Sequence, residues 1–201
     1  PWGSSHLKMW FDKLTTNGRR RHYRSPSVCR RTRRRVVQNF EITSGQTRKG
    51  IRENMKSQSI CHQLTTNKAP EFIDIAARVS ECVAKSKVNN GFAVVYSKHT
   101  TAAIKINENE PLLLQDIAKF LEQFSPRNGK YSHNDFSVRT VNMTPDESPN
   151  GHAHLQHLLR GTSETVPVID GAIQFGRYRS VFFIEPDHPR HREVMVQVVG
   201  E

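Results

Sequence analysis

The feature that most constrains the fold is a series of short strand-like segments that ends the chain. Residues 165–169 and 172–175 flank Asp170-Gly171, a dipeptide that forms tight turns in β-hairpins. Two further strands are predicted over residues 179–185 and 193–199. Because short connections join strands in antiparallel pairs, the pattern predicts a domain dominated by antiparallel sheet.

Earlier in the chain, strands are predicted over residues 57–66 and 91–97, and a further strand ends near residue 106. Helices are predicted between and after these strands. Residues 70–88 show helical periodicity, with Pro70 in the first turn and Cys82 as a buried thiol in the apolar stripe. The inner face of a second helix consists of Leu113, Leu114, Ile117, Phe120, Leu121 and Phe124. The expected fold class is α+β: a single domain with antiparallel, sandwich-like β-sheets and two to three helices.

The net charge of +11 is unevenly distributed along the chain. Residues 1–56 contain 15 Lys or Arg and 3 Asp or Glu, whereas residues 57–201 contain 15 and 16. We therefore interpret residues 1–56 as a basic, largely disordered extension and residues 57–201 as the folded domain. The extension could be an RNA-binding arm, an organelle transit peptide, or translated sequence outside the natural protein.

Cysteine usage and hydropathy indicate the compartment. The three cysteines have no paired spacing. The sequence contains no run of 18 apolar residues, so no membrane span is predicted. A cytoplasmic protein without a membrane partner is expected, with a transit peptide within residues 1–56 as the alternative.

Residues 150–161 concentrate histidine beside a turn. They predict a short helix that begins at Asn150 and ends at Gly161, in which His154 and His157 share a face. This helix either carries a ligand or proton-transfer site, or is amphipathic with its histidines toward solvent and an apolar stripe of Leu155, Leu158 and Leu159. Three histidines at this spacing match no standard metal signature, so the segment alone favours the second interpretation.

An ordered set of motifs in residues 57–201 resembles the YjbQ-like family, whose members are described as secondary thiamine-phosphate synthases. The matching segments are Ser97-Lys98-His99-Thr100-Thr101-Ala102-Ala103-Ile104, Asn107-Glu108, Asp116, His133, Asn150-Gly151-His152-Ala153-His154-Leu155, Gly161, Asp170-Gly171, Phe175-Gly176 and Pro189-Arg190-His191-Arg192. One segment departs from the pattern. Family members often carry Gly-Thr-Trp-Gln where this chain has Gly176-Arg177-Tyr178-Arg179, which adds two positive charges.

The resemblance implies an α+β fold, a homotrimer with clefts between subunits, and a transferase that joins a pyrimidine pyrophosphate to a thiazole phosphate. His99, His133 and His154 match the family's histidine positions and are candidate ligands of a divalent metal, zinc or magnesium. The predicted catalytic residues are His99, Glu108, Asp116 and His154, with the carboxylates orienting a histidine or acting as a base. The predicted substrate-binding residues are Thr100, Thr101, Asn150, Gly151, Arg179, Arg190 and Arg192.

Two other functions fit the same residues. One is a metal-dependent hydrolase of a small phosphorylated metabolite, and the other is a non-catalytic trimer that binds a metabolite. RNA binding through residues 19–35 ranks last, because the folded domain carries no surplus of positive charge.

Overall fold

The computed structural model describes residues 55–201, so the predicted basic extension lies outside the described residues except for its last two. In chain order the elements are β1 (Lys56–Thr65), β2 (Glu71–Asp74), α1 (Ala76–Ser86), β3 (Gly91–Ser97), β4 (Ala103–Glu108), α2 (Pro111–Phe124), α3 (Gly151–Arg160), β5 (Ser163–Ile169), β6 (Ala172–Ile173), β7 (Arg179–Glu185) and β8 (His191–Gly200). A 3-10 turn, Ser132–Asn134, lies in the irregular segment between α2 and α3.

The strands form two antiparallel sheets, which confirms the predicted α+β class. One sheet has the order β1-β8-β3-β5-β6 and the other the order β2-β7-β4. β3 lies between β8 and β5, as its apolar sequence indicates for a central strand. Gly91 of β3 faces Gly200 of β8, and the backbones approach so closely that a Cβ on Gly91 would lie 2.1 Å from the Val199 carbonyl oxygen.

The hydrophobic core consists of side chains from α1 and from both sheets, including Val79, Val83, Val95, Val181 and Phe183. Complete burial of a side chain of this size contributes about 1.5–3 kcal/mol. Cys82 packs in the same core, which confirms the predicted buried thiol, and burial raises its pKa to about 11. His62 Nε2 lies 3.0 Å from its Sγ.

The predicted helix over residues 70–88 was wrong at its beginning. Glu71–Asp74 forms strand β2, which pairs with the end of β7, and α1 begins only at Ala76. An Asp74 carboxylate oxygen accepts a hydrogen bond from the Ala76 backbone N–H at 2.9 Å. Pairing with a distant strand therefore overrides the local helical periodicity.

α2 begins where Pro111 predicted it, with the Glu110 carboxylate accepting bonds from the Leu112 and Leu113 backbone N–H groups at 2.9 and 2.6 Å. The predicted inner face is only partly buried. Leu121 is buried, whereas Phe120 and Phe124 are more than half exposed.

α3 has the predicted bounds, but its orientation contradicts the prediction of solvent-facing histidines. His152, Gln156 and Arg160 are buried, whereas the leucine stripe of Leu155, Leu158 and Leu159 is exposed. Hydrogen bonds explain the burial of the polar face. Gln156 Nε2 donates to the carbonyl oxygens of Leu121 and Ser125, and His152 Nε2 lies 3.2 Å from the Pro186 carbonyl oxygen.

The predicted hairpin is confirmed: Asp170-Gly171 connects β5 and β6, with φ angles of 51° and 73°. β6 is shorter than predicted and ends at Ile173. Within residues 55–201, no helix is long and apolar enough to cross a membrane.

Candidate active site

Two acidic side chains are buried where β7 turns toward β8. Glu185 is the last residue of β7, and Asp187 follows two residues later. The Asp187 backbone N–H donates to Glu185 Oε1 at 3.0 Å, so the turn itself holds the two residues together. Carboxylates buried to this extent require cationic or hydrogen-bonding partners.

Arg192 of β8 is the partner of Glu185. Its Nε lies 2.5 Å from Oε2 and its Nη2 lies 2.8 Å from Oε1, which makes a buried bidentate ion pair. Nη2 also donates to Thr101 Oγ1 at 3.0 Å. Arg192 and Thr101 were predicted to bind substrate, but these contacts engage both side chains within the protein.

Asp187 connects the same turn to the beginning of α3. Its Oδ2 accepts hydrogen bonds from Arg190 Nη2 at 2.8 Å and from Asn150 Nδ2 at 3.5 Å. Its Oδ1 lies 2.9 Å from His188 Nδ1. We call the connected set the acid-pair network; its members are Thr101, Asn150, Glu185, Asp187, His188, Arg190 and Arg192.

His133 and His154 lie next to each other beside this network. Their ring centroids are 4.6 Å apart in an edge-to-face arrangement. The 3-10 turn supplies His133, and the first turn of α3 supplies His154. Burial, and then the neighbouring His133, lower the pKa of His154, so its imidazole is neutral at pH 7, while Asp187 acts in the opposite direction.

The two histidines line a cavity of about 510 Å³, which we call the histidine cleft. Lys130, Tyr131, Gly151 and Leu155 form further parts of its wall. His133 Nε2 is buried and has no hydrogen-bond partner among the described residues. A buried polar nitrogen without a partner is costly, so a ligand that bonds it gains affinity.

His99 lies next to Arg192 rather than next to the other two predicted metal ligands. Its Nε2 accepts a hydrogen bond from the Glu193 backbone N–H at 2.8 Å. Burial, followed by the charge of Arg192, lowers the pKa of His99, so this imidazole is also neutral at pH 7. Nε2 acts as an acceptor, which places the ring proton on Nδ1.

The predicted metal triad does not form within one chain. Among residues 55–201, no group of three His, Cys, Asp or Glu side chains is placed to hold a metal ion. His133 and His154 are one ligand short of the three that catalytic zinc sites take from the protein. The residues of one subunit therefore do not fit the metal, and no chemical step is assigned to it.

Glu108 and Arg179 line a separate cleft of about 640 Å³. They face each other across β4 and β7, and Lys105 and Arg177 contribute further positive charge to the wall. Gly176-Arg177-Tyr178-Arg179, the segment that departs from the expected Gly-Thr-Trp-Gln pattern, lines this cleft and not the histidine cleft.

The remaining predicted residues either lie away from both clefts or have donors that already form hydrogen bonds within the protein. Asp116 is exposed on α2, 3.2 Å from Lys119 Nζ, as expected for a solvated carboxylate. Thr100 is exposed. The Gly151 backbone N–H donates to Asn134 Oδ1 at 2.9 Å, so this donor is not free to bind an anion.

The sequence-based site omitted Glu185 and Asp187, which accept hydrogen bonds from three of its residues, Asn150, Arg190 and Arg192. A signal was present: Glu185 ends the continuously apolar run Val181-Phe182-Phe183-Ile184, and an acid in such a buried strand needs a cationic partner. The identity of that partner depends on the antiparallel return of β8, which places Arg192 beside it.

The antiparallel α+β fold agrees with what comparison with known proteins shows. Residues 61–201 match the family described as UPF0047 protein YjbQ-like, and the chain belongs to this family. A UPF0047 protein of Methanothermobacter thermautotrophicus is 41% identical over 138 residues, which cover 69% of this chain and 89% of that protein. A UPF0047 protein of Methanocaldococcus jannaschii is 36% identical over 141 residues, covering 70% and 93%.

Solved structures show the same relationship. A YbjQ-like protein of unknown function from Sulfolobus solfataricus is 30% identical with a TM-score of 0.67, over 74% of this chain and 100% of that chain. A protein of the yjbq/upf0047 family from Clostridium acetobutylicum is 34% identical with a TM-score of 0.61, over 69% and 98%. These names identify a fold and a family without assigning a reaction.

Proposed function

We propose that this chain is a metabolic enzyme of the secondary thiamine-phosphate synthase type, which joins a pyrimidine pyrophosphate to a thiazole phosphate at the histidine cleft. The observation that carries the proposal is the pairing of His133 and His154 in a cavity of about 510 Å³. Within the described residues, the buried Nε2 of His133 has no hydrogen-bond partner.

The reaction forms one bond and breaks another. The thiazole nitrogen donates its lone pair to the pyrimidine methylene carbon, and the bond from that carbon to the pyrophosphate oxygen breaks. Pyrophosphate leaves with the electron pair of the broken bond. The protein must align the two substrates and stabilise the charge that develops on the leaving group.

The residues of the site suit these two tasks. Lys130 contributes positive charge in the histidine cleft, and Arg190 is hydrogen-bonded to Asp187, whose charge acts on His154. His154 is neutral at pH 7 and can form a hydrogen bond to substrate without adding charge. Asp187 is a positioning residue, because it holds Arg190 and the beginning of α3 and does not face substrate.

A homotrimer is part of the same proposal. The exposed leucines of α3, together with Phe120 and Phe124 of α2, present an apolar surface of the kind that subunit interfaces cover. Light scattering on the purified chain should give the mass of a trimer. A monomer across the micromolar concentration range would contradict this part of the proposal.

The activity test uses purified full-length protein with both substrates. His154→Ala and Arg190→Ala should each lower kcat/KM at least about 100-fold, the effect expected when a group that acts in the transition state is lost. The matched control is Lys119→Gln, which removes an exposed charge from α2 and should leave turnover unchanged. Full activity in both site variants would refute the assignment.

The same assay separates the alternatives. Release of phosphate or pyrophosphate from one substrate alone would identify a hydrolase. Substrate binding without any product would identify a metabolite-binding protein. Repeating the assay after chelation, with zinc or magnesium added back, tests the predicted dependence on a divalent metal.

A further inference from the structure

A second buried cation lies away from the histidine cleft. Arg160, the last residue of α3, is 7% exposed. Its Nε donates to the Gln156 carbonyl oxygen at 3.1 Å, and its Nη2 donates to Gln156 Oε1 at 3.4 Å. Its Nη1 is buried and has no hydrogen-bond partner within residues 55–201. Such an unpaired donor on a charged group is expensive to bury.

Within the described chain, the acidic residue that acts on this guanidinium is already paired with another arginine. Glu185 favours the charged form of Arg160 through its own charge, but both of its carboxylate oxygens accept hydrogen bonds from Arg192. Burial lowers the pKa of Arg160 to about 10, so the side chain is still cationic at pH 7.

Arg160 lines an apolar cavity of about 160 Å³ between α2 and the three-stranded sheet. The wall is mostly aromatic and aliphatic, and no acidic residue belongs to it; its apolar members include Phe72, Leu114, Ile117, Phe120 and Phe182. Phe120 and Leu159 are about half exposed, so in a single subunit the cavity opens onto the apolar surface that the proposed trimer contact would cover.

We propose that this cavity binds a small apolar monocarboxylate, whose carboxylate accepts a hydrogen bond from Arg160 Nη1. Cavities of about 150 Å³ hold a body the size of a benzene ring, which sets the ligand at about six apolar carbon atoms. A monoanion matches one unpaired guanidinium, whereas a dianion would keep an uncompensated charge in an apolar site. Lys105, the other cation in the wall, is already paired with Glu164 at 2.8 Å.

The site is independent of the proposed synthase reaction. Neither Arg160 nor the apolar wall belongs to the histidine cleft, so the two proposals can fail separately. The test uses the full chain and hexanoate as the probe, with 1-hexanol as a neutral ligand of the same shape and inorganic phosphate as a small polar anion. Calorimetric titration measures binding of each.

Hexanoate should bind at least about tenfold more tightly than 1-hexanol, the effect of one charge-assisted hydrogen bond, and phosphate should not bind at Arg160. Arg160→Met, which keeps the length of the side chain, should weaken hexanoate at least about tenfold and leave 1-hexanol unchanged. Ile117→Trp should block both ligands by filling the cavity while Arg160 stays in place. Lys119→Gln, on the exposed side of α2, is the control and should change nothing.

Three results would overturn the proposal: no hexanoate binding at millimolar concentration, equal binding of hexanoate to Arg160→Met, or equal affinity for hexanoate and 1-hexanol. If Arg160→Met fails to fold, Ile117→Trp and the comparison of the two ligands still decide the question.

Discussion

Replacing Arg192 with methionine tests how strongly the acid-pair network stabilises the fold. Arg192 makes two hydrogen bonds to Glu185 and one to Thr101, and both members of the ion pair are buried. Methionine has a similar length and no charge, so the variant removes all three bonds with little change in volume. The Glu185 carboxylate then stays in the core without its cationic partner.

The expected loss of unfolding free energy is large. Removing one partner of a buried ion pair costs about 3–5 kcal/mol, because the remaining charge is not compensated. For a domain of this size, 1 kcal/mol corresponds to about 2–4 °C in Tm, so Tm should fall by about 6–20 °C. An exposed pair gives the contrast: Lys98→Met, which breaks a half-exposed bond to Glu193, should cost about 1 kcal/mol or less.

A double-mutant cycle in urea denaturation measures the interaction itself. Glu185→Gln keeps an acceptor for the Asp187 backbone N–H and removes the charge. The double variant with Arg192→Met should lose about 1–3 kcal/mol less unfolding free energy than the sum of the two single losses. The reasoning would be refuted by a loss below about 1 kcal/mol in Arg192→Met, or by a coupling energy near zero.

Three further predictions use the same stability assay or the turnover assay. Gly91→Ala should lower the free energy of unfolding by at least about 3 kcal/mol, because the new Cβ would meet the Val199 carbonyl oxygen. Gly161→Ala should cost about 1–3 kcal/mol from backbone strain alone, because φ is 80° and the space around it is open. Equal losses in the two variants would contradict the close approach at Gly91. Asp116→Asn should leave turnover and stability unchanged, and a drop in kcat would restore the predicted catalytic role. The pKa values of five histidines are lowered in the folded chain: His62, His99, His152, His154 and His157. Below pH 6.5 the unfolded chain therefore binds more protons than the folded chain, and the free energy of unfolding should fall as the pH drops. A flat stability profile from pH 7.5 to 5 would contradict the lowered pKa values.

Local sequence patterns predicted most of the fold because strands and turns carry strong local signals. The Asp170-Gly171 hairpin, the central strand β3 and the bounds of α3 all follow from alternation, turn residues and caps. The beginning of α1 was wrong for a physical reason. Residues 71–74 pair with the end of β7 more than 100 residues later, and a local pattern contains no information about that partner.

The candidate site was predictable to a lesser degree, because its contacts connect segments far apart in the chain. His133 and His154 could be identified as functional candidates, and the structure places them side by side. Their relation to Asp187, and that of Arg192 to Glu185, depends on the turn between β7 and β8. Residue type suggested the chemistry of each group, but only the strand register determines which groups meet.

The orientation of α3 links the fold to the proposed assembly. Hydrogen bonds to α2 and to the β7–β8 turn bury the polar face of this helix, and they leave its leucines outward. An amphipathic helix in a monomer buries the opposite face. A subunit interface over the leucines would resolve this inversion, because the polar face is satisfied inside the subunit and the apolar face would be covered by a neighbour. The buried polar face and the exposed leucines of α3 thus have one explanation, in which a single helix holds His154 in the histidine cleft and contributes to the proposed trimer contact.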